Sequence, residues 1–164
     1  MLNLAFSPCP NDTFIFDAIV NKRIDCEGID FIPVMHDVEH LNQMAMAGKA
    51  DIIKVSYFTY LLVKPQYILL DSGSAMGFGN GPLLISRDDI DVDSLKTKTV
   101  AIPGKYTTAH MLYRLAVPET GHKTFMLFSD IEQAVLDGRA DAGVIIHENR
   151  FTYQQKGLRL MMDL

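Results

Sequence analysis

The sequence predicts an α/β protein of two lobes facing each other across a cleft, and three observations carry that prediction. A chain of 164 residues with 48% hydrophobic and 21% charged residues has the composition of an ordinary globular protein with a buried core. An apolar run, a turn rich in proline or glycine, small polar residues and an amphipathic stretch follow one another over 2–20 and again over 99–117. Gly48-Lys49-Ala50-Asp51 and Gly138-Arg139-Ala140-Asp141 each stand between an amphipathic stretch and a short apolar run.

Residues 2–7 read as a strand, Pro8 and Pro10 turn the chain, Asn11, Asp12 and Thr13 supply small polar groups, and 14–20 reads as a helix. The counterpart is a strand over 99–103, a turn at Gly104-Lys105-Tyr106, the pair Thr107-Thr108 and a helix over 109–117. Second strands are expected over 30–35 and 125–128, with Asp37 and Asp130 after them as N-caps. The helices they start keep Val38, Leu41, Met44 and Ala45, and Ile131, Ala134 and Val135, at three- and four-residue spacing, which makes one apolar face. Gly48 and Gly138 suit the C′ position, where a left-handed backbone closes a helix. Strands over 52–55 and 142–146 complete two β-α-β-α-β units with mostly parallel sheets and right-handed crossovers. Between them lie the glycine-rich segment 73–81 and an apolar strand over 82–86, read as hinge and crossing. Lobe one is therefore expected over 1–86 and lobe two over 87–164.

A net charge of -5, with basic residues scattered rather than clustered, argues against a nucleic-acid partner. The longest apolar candidate, 57–63, stops at Lys64-Pro65, well short of the roughly eighteen residues a membrane span needs. The first residues lack the basic charge of a signal peptide and run into prolines, so a cytoplasmic protein is expected. Cys9 and Cys26 are too few for a disulfide framework and read as free thiols.

In open parallel sheets ligands sit beyond the carboxyl ends of the strands, beside helix N-termini. Those positions nominate Ser7, Asn11 and Asp12, with Lys54, Val55 and Ser56, from lobe one. From lobe two they nominate Thr107, Thr108, Ala109 and His147. Backbone N–H groups and hydroxyls at 107–109 suit a carboxylate or phosphate, with Lys54 adding charge, so the expected partner is a small anionic molecule. Ser7, Asn11 and Asp12 equally suit turn roles, and Thr107-Thr108 equally suits a helix start. His147 is more pointed, because it interrupts the apolar run Val144-Ile145-Ile146 at a strand's carboxyl end. His110 and His122 read as helix-surface or loop residues.

The glycine-rich segment matches neither dinucleotide nor P-loop patterns, and hinge freedom explains it better. His36-Asp37-Val38-Glu39-His40 fits an inverted zinc-protease motif, H-x-x-E-H, which needs both histidines on one helical face. With Asp37 as N-cap, His36 falls outside the helix, so no metal site is expected.

The strings Ser7-Pro8-Cys9-Pro10-Asn11-Asp12-Thr13-Phe14, Lys54-Val55-Ser56, Gly77-Phe78-Gly79-Asn80-Gly81-Pro82-Leu83, Pro103-Gly104-Lys105-Tyr106-Thr107-Thr108-Ala109-His110 and Ile146-His147-Glu148-Asn149-Arg150 resemble the 1,4-dihydroxy-6-naphthoate synthase family of the futalosine route to menaquinone. The resemblance implies the periplasmic-binding-protein type II fold, which agrees with the repeat. It implies conversion of cyclic dehypoxanthine futalosine to 1,4-dihydroxy-6-naphthoate by a carbon–carbon lyase without a metal or organic cofactor. It also implies His147 as general base, and the segments 54–56 and 107–109 as substrate-binding.

Members of that family continue well past the end of this sequence, so lobe one is expected to lack its returning strand and helices. Apolar surface and a sheet edge would then be uncovered. A shortened chain, a fragment of a longer gene product, and self-association through that face are the three readings this leaves. The rival functions are a non-catalytic solute-binding protein of the same fold and the sister enzyme chorismate dehydratase.

Overall fold

Strand β1 (Leu2–Phe6) lies at the centre of the first sheet of the computed structural model, which describes residues 1–164. Parallel neighbours flank it, β2 (Phe31–Met35) on one side and β3 (Ile52–Ile53) on the other. Helix α1 (Pro10–Val20) follows β1, α2 (Val38–Met46) follows β2, and α3 (Tyr57–Val63) follows β3. Pro10 occupies the first turn of α1, where a missing N–H costs nothing, so this helix starts four residues earlier than expected from its apolar pattern. Pro33 is tolerated in β2 because β2 is an edge strand. Leu4, Ala5, Phe6, Leu41, Ala45 and Val63 are buried and form the core of this unit, Met1–Met76.

The second unit, Gly77–Leu164, repeats that plan and adds to it. Its strands are β4 (Leu83–Ser86), β5 (Thr99–Ile102), β6 (His122–Phe125), β7 (Ala142–Ile145) and β8 (Arg159–Asp163). Its helices are α4 (Thr108–Ala116), α5 (Ile131–Leu136) and the short α6 (Asn149–Thr152). The sheet order β6-β5-β7 matches β2-β1-β3, and β5 is parallel to both neighbours. The repeated Gly-(Lys/Arg)-Ala-Asp string has a repeated physical use. Gly48 and Gly138 take φ of 64° and 73°, ending α2 and α5. The carboxylates that follow then accept from the neighbouring strand: Asn3 N donates to Asp51 Oδ2 at 2.8 Å, and Thr99 N to Asp141 Oδ2 at 2.8 Å.

Four expectations are corrected. The strand over 82–86, assigned above to lobe one, belongs to the second sheet, where β4 lies antiparallel between β7 and β8. Leu83, Leu84 and Ile85 are buried, and an apolar strand of this kind requires neighbours on both sides. The strand expected over 125–128 runs instead over His122–Phe125, and Phe128–Asp130 forms a 3-10 turn. Asp130 consequently has helical backbone angles and caps nothing with its side chain, unlike Asp37, whose carboxylate accepts from Glu39 N and His40 N. Finally, β3 is confined to Ile52–Ile53, the remainder of the expected strand leading into α3.

Gly143 in β7 lies directly under α5: a Cβ there would stand 2.5 Å from Ile131 Cγ2, so only glycine permits this helix–sheet approach. The first unit's sheet holds three strands where the second's holds five. Ile32 and Met35 on its edge strand are 43% and 54% exposed. No helix is long and apolar enough to cross a membrane.

Candidate functional site

In the first unit, the segments after β1 and β3 leave the same end of the sheet, since both strands run parallel and adjacent. The backbone of Lys54 extends that pairing, its N–H donating to Ala5 O at 2.8 Å. Lys54 is thereby brought to Ser7, just after β1, and to Asp12 in the first turn of α1. Asp12 is buried and collects three donors: Ser7 N at 3.0 Å and Ser7 Oγ at 2.8 Å on Oδ2, and Lys54 Nζ at 2.7 Å on Oδ1. Cys9 Sγ lies 2.9 Å from Ser7 Oγ. The expectation that Lys54 lends net positive charge to an anion seat is therefore revised, because its ammonium is neutralised by Asp12. Asn11 is exposed and stands outside this network; Val55 is half-buried.

Ser56 is held by a residue that the sequence reading missed. Asn42, fully buried in α2, accepts from Ser56 N at 2.9 Å and donates from Nδ2 to Ser56 Oγ at 3.2 Å. The signal for it was present: Asn42 is a polar residue on the apolar stripe of α2, four positions after Val38, and a buried amide there needs a partner.

In the second unit, the loops after β5 and β7 likewise leave one end of adjacent parallel strands. Gly104 has a φ of 145°, a conformation open essentially to glycine, and starts the turn into α4. Thr107 is buried as the N-cap: its hydroxyl donates to Gly104 O at 3.0 Å and accepts from His110 N at 3.2 Å. This hydroxyl is committed to the fold, so what the turn presents is the N–H array of a helix start, with Thr108 half-buried and Ala109 buried beside it. His110, expected on the surface, is buried, with Nδ1 donating to Lys105 O at 2.8 Å and its ring edge-on to Phe125.

His147 stands exposed two residues past the end of β7, with a φ of 57°. A left-handed backbone costs a side-chain-bearing residue about 1–2 kcal/mol, and such strain gathers at functional positions. Two contacts hold it. Arg150 N donates to His147 O at 3.2 Å, and the half-buried Phe128 meets the imidazole at 5.6 Å between centroids with the planes 75° apart. Phe128 too was missed, because its place depends on the 3-10 turn after β6.

The motif His36-Asp37-Val38-Glu39-His40 behaves differently from its reading. His36 does precede the cap Asp37, yet its ring stacks on His40 at 4.1 Å between centroids. Helical side chains lean toward the N-terminus, which carries His40 back over the cap. No group of three or more His, Cys, Asp or Glu side chains gathers in the molecule to hold a metal ion.

The family model described as menaquinone biosynthesis matches residues 2–164. The chain belongs to this family. A curated relative, the 1,4-dihydroxy-6-naphtoate synthase of Streptomyces coelicolor, is 43% identical over 169 residues covering 99% of this chain. The chain spans 58% of the length of that relative. Among solved structures, a protein from Archaeoglobus fulgidus matches with a TM-score of 0.90 at 36% identity, over 99% of this chain and 60% of that one. The alkanesulfonate-binding protein of Xanthomonas axonopodis pv. citri bound to MOPS matches with a TM-score of 0.68 at 13% identity, over 99% of this chain and 60% of that one. The family member described here thus has a periplasmic-binding-protein-like fold, as its repeat and the resemblance implied.

Proposed function

We propose that this member of the menaquinone biosynthesis family carries the catalytic base of a 1,4-dihydroxy-6-naphthoate synthase, a carbon–carbon lyase acting on cyclic dehypoxanthine futalosine. The observation that carries the reading is the strained, exposed His147 at the carboxyl end of β7. Its support from comparison is the 43% identity to a relative bearing that name.

The reaction requires removal of a carbon-bound proton, scission of a carbon–carbon bond that expels the sugar-derived portion, and formation of an aromatic ring that drives both. Imidazole is the side chain best suited to take a proton near neutral pH, and a positioned general base contributes about 10²- to 10⁴-fold. The ligand is a small carboxylate. The N–H array at Thr108 and Ala109 in the second unit is a seat suited to that carboxylate. A cytoplasmic location accompanies the reading, supported by the family's biosynthetic description.

The test is turnover of cyclic dehypoxanthine futalosine by this chain and by His147→Asn, following 1,4-dihydroxy-6-naphthoate by chromatography and ligand binding by calorimetry. Product from the parent alone, with binding retained within a few-fold by the variant, is the expected result. Equal turnover by both, binding by the parent without turnover, or dehydration of chorismate instead would overturn it.

A further inference from the structure

Three segments of the second unit converge where β7 and β8 end and β4 begins. Leu83 pairs with both Ile145 and Asp163, and Leu164 N donates to Pro82 O at 2.9 Å. At this corner the Arg150 side chain is 14% exposed, and its guanidinium reaches four acceptors on two other segments. Nη1 donates to Gly81 O and to Asp163 Oδ1 at 3.2 Å, and Nη2 donates to Gly79 O at 3.1 Å and to Asp163 Oδ2 at 2.8 Å. The backbone N–H of the same residue closes the turn onto His147 O.

We infer that Arg150 is a positioning residue for His147: its guanidinium bracket to Gly79, Gly81 and Asp163 anchors the short α6 and thereby holds the left-handed backbone that aims the imidazole. The assignment of catalysis to His147 rests on the proposed function; the bracket's hold on the His147 backbone does not. Helix α6 has only four residues, so it cannot orient itself by its own hydrogen bonds. Its anchor must come from elsewhere, and the planar fork of arginine is the side chain able to bridge a carboxylate and two carbonyls at once. The bracket also fixes residues 79–81, close to the point where the chain enters this unit at Gly77. A glycine-rich segment would otherwise be the loosest part of the corner. Gly81 adds to the constraint, since a Cβ there would stand 2.5 Å from Leu164 O.

The experiment compares the parent chain with Arg150→Gln and Asp163→Asn by amide hydrogen exchange, and by kcat and KM on cyclic dehypoxanthine futalosine. Arg150→Gln should speed exchange at least roughly tenfold at residues 79–81 and 147–150 while leaving Val100, Ala101 and Ile102 in β5 unchanged. It should lower kcat by roughly ten- to a hundredfold with KM held within about threefold, the signature of a misaimed base rather than a lost binding contact. Asp163→Asn, which keeps the side chain's shape, should move the same segments less; it decides the matter if Arg150→Gln does not fold. Unchanged exchange at 147–150, or kcat and KM changing together, would overturn the inference. A parent chain without turnover overturns the proposed function alone, and exchange at 147–150 then decides whether the bracket holds His147.

Discussion

The ammonium of Lys54 stands 2.7 Å from the buried carboxylate of Asp12, joining the segment after β3 to the first turn of α1 across 42 residues of sequence. The Lys54 side chain is 21% exposed and that of Asp12 7%, so water screens this pair poorly. Removing one partner strands a charge in low dielectric. Lys54→Met should destabilise the chain by about 3 kcal/mol, and the double variant with Asp12→Asn should lose clearly less than the sum of the two single losses. Urea unfolding of the four proteins measures the coupling, and additive losses would show that the pair contributes little.

Asn42 is fully buried and both of its described hydrogen bonds to Ser56 run through its amide. Asn42→Ala leaves Ser56 N without that acceptor and should cost about 2 kcal/mol. Loosening of Ser56 should also raise KM more than it lowers kcat. Steady-state kinetics beside a denaturant melt checks both parts.

The left-handed backbone of His147 makes an unusual stability prediction, because glycine adopts φ of 57° without a Cβ clash. His147→Gly should be more stable than His147→Ala by about 1 kcal/mol, reversing the order found in ordinary helix or strand positions. Both variants should lack turnover. Melting the pair side by side gives the sign, and a more stable alanine variant would mean the backbone relaxes out of the left-handed region.

Asp163 is held below the usual carboxylate range, chiefly by its hydrogen bond from Arg150 and further by that guanidinium's charge, with desolvation opposing. A depressed folded-state value means the unfolded chain binds the proton first on acidification. The contribution is thus fully present above the unfolded value of about 3.9 and is lost as pH falls through the folded value. The stability gap between the parent and Asp163→Asn should be constant from pH 7 to about 5 and shrink below about 4. Denaturant melts across that range read it directly, and a gap independent of pH would remove Asp163 from the account.

Much of the architecture was legible because it is local. Asp37 and Thr107 are caps, and the reason lies within three residues of each. Gly48 and Gly138 end helices because their own backbones turn left-handed. The apolar spacing in α2 and α5 announces the buried faces of Leu41, Ala45, Ile131 and Val135. The place of His147 at the carboxyl end of a buried strand was also legible, since the apolar run before it stops there. Misreadings arose where a neighbour decides the outcome. Asp130 looks like Asp37 in sequence but is itself the last residue of a 3-10 turn, so its side chain caps nothing. His110 looks like a surface residue of α4, yet packing against Phe125 and the Lys105 carbonyl buries it.

By itself the sequence determined that strands and helices alternate, that the order is used twice, and where α2, α4 and α5 begin and end, because capping, glycine geometry and apolar periodicity act over a few residues. Which sheet β4 would join was decided only by the tertiary structure, since an apolar strand can pair with any complementary edge, and here β7 and β8 supply both. The same holds for the charge at Lys54, cancelled by Asp12, and for the bracket that Arg150 builds on Gly79, Gly81 and Asp163. Such contacts join segments far apart in the chain. They form once the sheets set the strand ends side by side, and no local pattern encodes them.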